Sequence, residues 1–229
     1  MLAVNTDKKS ARYSLGKTGT TTLIDTLPND WHTTGEISAD FMHTLFPNVL
    51  EPGYVGQYNA LQHLYSNDYN ITIVIRQPWK RYVSGIKEVL QDQLNTLYND
   101  PINEVYANVT DEVLTKSIDR LFYLSEFKRQ KDFEFAVDFP YPSDFAIHHN
   151  YHVRNWLHTI QEFDATIIDC TNLNDYITNS LGYTPAPRTN VSDPAFIKRL
   201  DTCIKNTEIY FYIEKYLESE ISTYQNLIR

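Results

Sequence analysis

Cysteine is scarce in this 229-residue chain, in which Cys170 and Cys203 are the only two. Two thiols cannot build a disulfide framework or a four-thiolate zinc site, which excludes small disulfide-rich secreted domains and zinc fingers. Long apolar runs are also missing, because the purely apolar stretch around residues 73–75 is far shorter than the roughly 20 residues that cross a bilayer. We therefore expect a protein with no membrane span and no membrane partner.

Positive charge is in deficit as well. The chain has 20 Lys and Arg against 29 Asp and Glu, which gives a formal net charge of −9. This sign disfavours a protein that follows a nucleic-acid backbone non-specifically, so no nucleic-acid partner is expected and any anionic ligand requires a local positive site. The first ten residues are polar after Val4 and lack the apolar stretch of a signal peptide, so we expect a cytoplasmic protein.

Strand and helix patterns alternate along the chain. The β-branched run from Ile71 to Ile75 is typical of a strand buried on both faces, and Pro28 is expected to end the helix before it. The alternation predicts an α/β three-layer fold with a central, mainly parallel sheet flanked by helices, in one domain spanning residues 1–229. Strands are predicted over residues 12–15, 71–75 and 166–169, and helices over 20–27, 78–97, 111–131, 150–162, 173–181 and, as one or two helices, 194–227.

The segment from Ser14 to Leu23 has the composition of an anion-binding loop. Two glycines, Gly16 and Gly19, let the backbone approach an anion closely, and the free N–H groups of the helix that follows point at the same place. Lys17 adds a full positive charge. Hydroxyl donors come from four threonines, Thr18, Thr20, Thr21 and Thr22. The order of strand, glycine, lysine, hydroxyl cluster and helix therefore predicts a phosphate site at residues 16–22.

This loop shares only its Gly-Lys-Thr tail with the P-loop of nucleoside triphosphatases. That loop requires a further glycine at the position of Ala11. Asp169, at the end of a predicted strand, has the placement of a magnesium-binding aspartate, although the same placement suits a helix N-cap. A magnesium- and ATP-dependent small-molecule kinase is therefore an alternative interpretation.

A second candidate anion site follows the strand at residues 71–75, where Arg76 ends the strand and Ser84 lies eight residues later on the next helix. Residues 16–23 and 73–84 together resemble the two signature motifs of the sulfotransferases that use 3′-phosphoadenosine 5′-phosphosulfate (PAPS). The resemblance implies a P-loop-like domain in which residues 16–22 hold the 5′-phosphosulfate, while Arg76 and Ser84 hold the 3′-phosphate. Arg188 lies where relatives have a late loop closing over the nucleotide, and it is a further candidate for the 3′-phosphate.

The resemblance implies in-line sulfuryl transfer from PAPS, with the bisphosphate PAP as product and no metal. The acceptor would offer a hydroxyl or an amine on a carbohydrate, a peptide or a small molecule. Lys17 is the candidate that stabilises charge on the leaving phosphate. Glu36 resembles the base of the tyrosylprotein and N-sulfating members, with His32 and His43 as alternatives. A module that binds the nucleotide without catalysis is the third interpretation, and the sequence does not indicate the acceptor or the oligomeric state.

Overall fold

The computed structural model describes residues 2–14, 18–33, 54–98, 109–119, 157, 160–187, 193–207 and 210–229. In chain order its elements are β1 (Leu2–Asn5), β2 (Ser10–Ser14), α1 (Thr20–Thr26), β3 (His32–Thr33), α2 (Tyr54–Ser66), β4 (Asn70–Ile75), α3 (Pro78–Tyr98), α4 (residues 111–119), β5 (Thr166–Asp169), a 3₁₀ turn (Cys170–Asn172), α5 (Leu173–Asn179), α6 (Pro194–Lys205) and α7 (Tyr210–Leu227). The chain divides into two compact units. Met1–Gln77, Trp156–Asn190 and Tyr224–Arg229 form the first, and Pro78–Asn155 and Val191–Thr223 form the second.

The sheet of the first unit has five strands in the order β3-β1-β2-β4-β5. β4 pairs in parallel with β2 and β5, whereas β1 pairs antiparallel with β2 and β3. The sheet is therefore open and mixed, which confirms the α/β class but corrects the prediction of a mainly parallel sheet. The physical reason is the β1–β2 hairpin, whose first strand the sequence patterns did not predict.

The hairpin is held by the side chain of Asn5, which is 1% exposed. Its Nδ2 donates to Asp30 Oδ2 at 2.9 Å and to the Asp30 carbonyl oxygen at 3.2 Å. Its Oδ1 accepts from the backbone N–H of Lys8 at 2.8 Å. The chain reverses at Lys9, whose φ is 44°. Asn5 thus satisfies its own buried polar atoms while joining the hairpin turn to the segment that enters β3.

β4 is buried from Ile71 to Ile75, which confirms the prediction of a strand covered on both faces. One face packs against α1 and α5 through a cluster formed by Val74, Leu23, Leu173 and Ile177. α1 ends at Thr26, two residues before Pro28, as predicted. The strand prediction for residues 166–169 is also confirmed, as β5.

The second unit has its own apolar core, to which α3, α4, α6 and α7 contribute. Trp79, in the first turn of α3, is fixed against α6: its Nε1 donates to Asp201 Oδ1 at 2.5 Å, and Lys205 Nζ lies 5.6 Å from the ring centroid. The buried core residues are Tyr82, Val83, Ile86, Leu90, Leu114, Ile118, Phe196, Leu200, Cys203, Ile204, Ile213 and Leu217.

The helix predictions for the second unit are confirmed where the structure describes them. Residues 78–97 lie in α3, and residues 194–227 form the two helices α6 and α7. The predicted helix at 111–131 is confirmed over 111–119, and the rest of it lies outside the described residues. Of the predicted helix at 150–162, Leu157 and Ile160 are described as helical.

The structure also describes both cysteines and the length and hydropathy of the helices. Cys170 and Cys203 are not joined in a disulfide, and Cys170 is half-buried whereas Cys203 is buried. Among the helices that the structure describes, none is both long enough and apolar enough to cross a bilayer.

We expect Asn5→Ala to lower the free energy of unfolding by about 2 kcal/mol, because it leaves the Lys8 N–H and the Asp30 carbonyl without their side-chain partner. Urea unfolding measures the change. Lys8→Gln is the matched control, since it removes only the exposed Lys8–Asp30 ion pair and should leave the midpoint nearly unchanged. Equal effects of the two substitutions would contradict the role of Asn5.

Candidate functional site

Four of the five strands run in the same direction, because β1 is antiparallel to both of its neighbours. The last residues of β2, β3, β4 and β5 therefore lie along one edge of the sheet, here called the carboxyl edge. It is formed by Ser14, Thr33, Ile75 and Asp169. In register, Ser14 pairs with Val74 and Ile75 pairs with Asp169. Because neighbouring strands are about 4.8 Å apart, the segments that follow β2 and β4 start side by side.

The loop between β2 and α1 is described from Thr18 onward, so Gly16 and Lys17 lie outside the described residues. Gly19 is the N-cap of α1 and has a left-handed φ of 86°. A Cβ atom on Gly19 would lie 2.7 Å from Leu173 Cδ2 of α5. The structure therefore requires glycine here for two reasons, the backbone conformation and the close approach of α5.

The four threonines of the loop differ in exposure. Thr18 and Thr22 are buried, Thr21 is exposed, and Thr20 is half-buried with its Oγ1 3.0 Å from Ser14 Oγ. The N-cap residue, Gly19, has no side chain that could cap the start of α1. Helix geometry leaves the first N–H groups of any α-helix without a partner inside the helix, and groups of this kind can bind an anion.

The residues predicted to hold the 3′-phosphate fall in different parts of the chain. Arg76 follows β4 directly and is half-buried at the carboxyl edge, beside the start of the loop that contains Lys17. Ser84 is half-buried on α3, in the second unit, so its proximity to Arg76 stays a prediction. Arg188 lies outside the described residues. The segment before Arg188 is tied to α1, because the Ala186 N–H donates to Thr26 Oγ1 at 2.9 Å.

The candidate bases follow β3. Glu36 and His43 lie outside the described residues, whereas His32 is exposed on β3. Ala3 of β1 pairs with Thr33 on one side and with Arg12 on the other, so β3 ends close to the level at which β2 ends. The segment that leads to Glu36 therefore leaves the sheet at the same edge as the loop with Lys17.

Asp169, the candidate magnesium ligand of the kinase interpretation, has both carboxylate oxygens engaged. Oδ1 accepts from the N–H of Thr171 at 2.7 Å and from its hydroxyl at 2.5 Å, and Oδ2 accepts from the Tyr224 hydroxyl. Burial raises the pKa of the Tyr224 phenol, and its hydrogen bond to Asp169 raises the pKa further. Asp169 therefore acts as the N-cap of the 3₁₀ turn and as the anchor of the last turns of α7.

Two residues of this site were not indicated by sequence patterns. Leu173 sets the close approach to Gly19, and Tyr224 binds Asp169. Both act across long sequence separations, and no local spacing signals such contacts. Ser14 has a local signal, because it is the polar residue that ends a strand directly before a glycine-rich loop.

Comparison with known proteins returns no match among family models, curated proteins or solved structures. The motif residues and the geometry of the carboxyl edge are therefore the features of this chain that bear on its function.

Three glycine substitutions distinguish the two reasons for glycine at position 19, which are its positive φ and the close approach of α5. Gly19→Ala should lower the free energy of unfolding by about 2 kcal/mol, since it adds a clash with Leu173 to the strain of a positive φ. Gly182→Ala, at a φ of 72° with open space around it, should cost about 1 kcal/mol. Gly85→Ala, inside α3 with nothing near the added carbon, should be stabilising by about 0.5–1 kcal/mol.

Denaturant unfolding of the three variants measures these values. We expect Gly85→Ala to be stabilising, Gly182→Ala to be destabilising, and Gly19→Ala to be the most destabilising of the three. A Gly19→Ala protein as stable as Gly182→Ala would show that α5 does not constrain the loop.

Proposed function

We propose that the protein transfers the sulfuryl group of PAPS to an acceptor hydroxyl or amine. The observation that carries this proposal is the parallel, in-register pairing of β2 and β4, from which the loop with Lys17 and the segment with Arg76 start side by side. Ligands of open α/β sheets bind outside the carboxyl ends of the strands. A nucleotide with two separate anionic groups can be bound by two cationic side chains that follow strands ending at the carboxyl edge.

The loop between β2 and α1 has the residues to bind the 5′ end of such a nucleotide. The left-handed Gly19 packs tightly on α5, and the N–H groups at the start of α1 are donors without a charge of their own. Lys17 adds the charge that these donors lack. For the 3′-phosphate, Arg76 provides a forked guanidinium, which Ser84 and Arg188 join in the arrangement that the family resemblance implies.

The roles of the side chains follow from the reaction. When bound, PAPS supplies a sulfuryl group to which the acceptor oxygen or nitrogen forms a bond while the bond from sulfur to the 5′-phosphate oxygen breaks. Lys17 and the N–H groups of α1 stabilise the electron pair left on that oxygen. Glu36 accepts the proton of the acceptor, with His32 and His43 as the alternative bases.

The kinase alternative has less support. Its magnesium ligand would be Asp169, yet the oxygens of that carboxylate already accept hydrogen bonds from Thr171 and Tyr224. Its loop would also need a glycine where Ala11 stands. Sulfuryl transfer requires neither feature.

Nucleotide binding can be tested without knowledge of the acceptor. PAP at about 100 times its Kd should stabilise the protein by about 2.7 kcal/mol, in the presence of EDTA, because a ligand that binds only the folded state shifts the unfolding equilibrium. Differential scanning calorimetry measures the shift. Stabilisation by ATP that requires magnesium, with no effect of PAP, would favour the kinase and overturn the proposal.

Catalysis is tested on variants that keep the fold. Lys17→Ala should lower kcat for transfer from PAPS by a hundredfold or more, by the order of magnitude typical for loss of one donor to a developing oxyanion, with an unchanged thermal midpoint. Lys116→Ala is the matched control, since Lys116 is an exposed lysine paired with Glu112. Glu36→Gln should lower kcat by about a hundredfold while PAP still binds.

The outcomes separate the remaining interpretations. Tight PAP binding with no transfer to any acceptor in a panel, and no change on Glu36→Gln, would identify a binding module without catalysis. An unchanged kcat in Lys17→Ala would remove Lys17 from the mechanism. Loss of transfer in His32→Gln or His43→Gln, but not in Glu36→Gln, would move the base to that histidine.

A further inference from the structure

Arg12 of β2 is a buried cation that the proposed mechanism does not use, since it is only 8% exposed. It pairs with Thr72 of β4, whose hydroxyl lies 3.2 Å from the Tyr176 hydroxyl of α5, so Arg12 is on the face of the sheet that α5 covers. Its Nη1 donates to the Ala11 carbonyl at 2.9 Å and to the Asn70 carbonyl at 3.5 Å. Because Asn70 begins β4, the guanidinium lies toward the end of the sheet opposite the carboxyl edge.

The positive charge of Arg12 has no negative partner in the part of the chain that the structure describes, because no carboxylate there forms an ion pair with it or perturbs it. Burial lowers the pKa of Arg12, and the phenols of Tyr176 and Tyr183 offset this effect only in part. Removing a charge from water is costly unless a counter-charge and hydrogen bonds compensate for it. The fold therefore holds a guanidinium whose charge is not neutralised by these residues.

Trp31 covers this guanidinium, with the Cζ atom of Arg12 5.1 Å from the centroid of the indole ring. Trp31 is also only 8% exposed. Two N–H donors at this contact, Arg12 Nε and Trp31 Nε1, are buried and have no hydrogen-bond partner among the described residues. Asp30, the residue directly before Trp31, does not fill this role, because its carboxylate accepts from Lys8 Nζ at 2.9 Å. Two adjacent buried donors therefore share the need for an acceptor.

The charge and the two donors together define the chemistry of the group that fits here. A water molecule accepts from two N–H groups but leaves the charge of the guanidinium uncompensated. A divalent anion leaves a surplus negative charge in the same buried place. A monovalent anion accepts from both donors and also neutralises the single positive charge, so it meets both requirements.

We propose that Arg12 Nε and Trp31 Nε1 bind a small monovalent anion of the chloride type on the face of the sheet that α5 covers. Because the indole ring covers the guanidinium, both N–H groups border one contact, where a spherical ion accepts from both. The anion is the counter-ion of Arg12, and it stabilises the folded state, in which these two donors meet. This site is separate from the proposed nucleotide site, which lies at the carboxyl edge.

The indole N–H signals of the full-length chain in ¹H–¹⁵N NMR spectra report on the site directly. The probe is sodium chloride, which replaces sodium gluconate at constant ionic strength, since gluconate is a bulky anion for a contact this deeply buried. Chloride should move the Trp31 signal downfield until the site is saturated, because its Nε1 gains an acceptor. The Trp79 signal is the internal control and should stay in place, because Trp79 Nε1 already donates to Asp201. Trp31→Phe assigns the Trp31 signal.

Variants of the two donors test the same site through stability. The dependence of urea unfolding on chloride concentration, at constant ionic strength, gives the Kd for chloride. Trp31→Phe keeps a ring over Arg12 but removes the N–H, so it should weaken chloride binding about tenfold, the equivalent of one hydrogen bond to a charged group. Arg12→Met should abolish the chloride dependence. Arg199→Met is the matched control and should leave it unchanged, because Arg199 is paired with Asp111.

Three results would overturn the inference: a Trp31 signal that does not respond to chloride, an equal movement of the Trp31 and Trp79 signals, or a chloride dependence of unfolding that persists in Arg12→Met. If Arg12→Met does not fold, Trp31→Phe decides, and an unchanged Kd for chloride in that variant overturns the site. The proposed function is tested separately by PAP binding. A protein that binds chloride at Trp31 but not PAP would keep this inference and lose the proposed function.

Discussion

The antiparallel pairing of β1 with both β2 and β3 is the constraint on which the candidate site depends. Because β1 reverses the direction between its neighbours, β3 runs the same way as β2, β4 and β5. The loop before α1, the segment after β3 and Arg76 therefore all begin at the carboxyl edge. A parallel β1–β3 pairing would send the chain that leads to Glu36 to the opposite edge, away from the loop with Lys17.

The parts of the fold that the sequence predicts are those with strong local signals. β4 is a β-branched run, α1 is bounded by glycine and Pro28, and β5 was predicted with its observed bounds, Thr166–Asp169. β1 escaped prediction because the hairpin turns at Lys9 rather than at a glycine, so no local turn signal separates β1 from β2. Its stability comes from Asn5 and Asp30, which are 25 positions apart, and from pairing on both sides.

The residues of the candidate site also fall into two classes, those that a local sequence signal predicts and those whose contacts come from distant positions in the chain. Glycine, lysine and hydroxyl residues before a helix are a local requirement of anion binding, so residues 16–22 are visible in the sequence. The sequence leaves Asp169 open between a metal ligand and a cap. Its cap contact is local, to the Thr171 N–H, whereas its second carboxylate oxygen accepts from Tyr224, 55 positions away. Arg12 is a similar case. Arg12 lies in a predicted strand, but no local pattern indicates that its guanidinium is buried 5.1 Å from the Trp31 ring centroid. This burial lowers the pKa of Arg12.

Net charge and local charge act over different distances at the proposed nucleotide site. The overall charge of −9 opposes the approach of any anion, but at physiological salt its field is screened beyond about 8 Å. Lys17, Arg76 and the N–H groups of α1 would act at contact distance, where salt screens little. A compact bisphosphate that touches only these groups gains their full attraction, whereas a long polyanion would also extend over the rest of a protein with a net charge of −9. The same charge distribution that disfavours a nucleic-acid partner is therefore compatible with a mononucleotide.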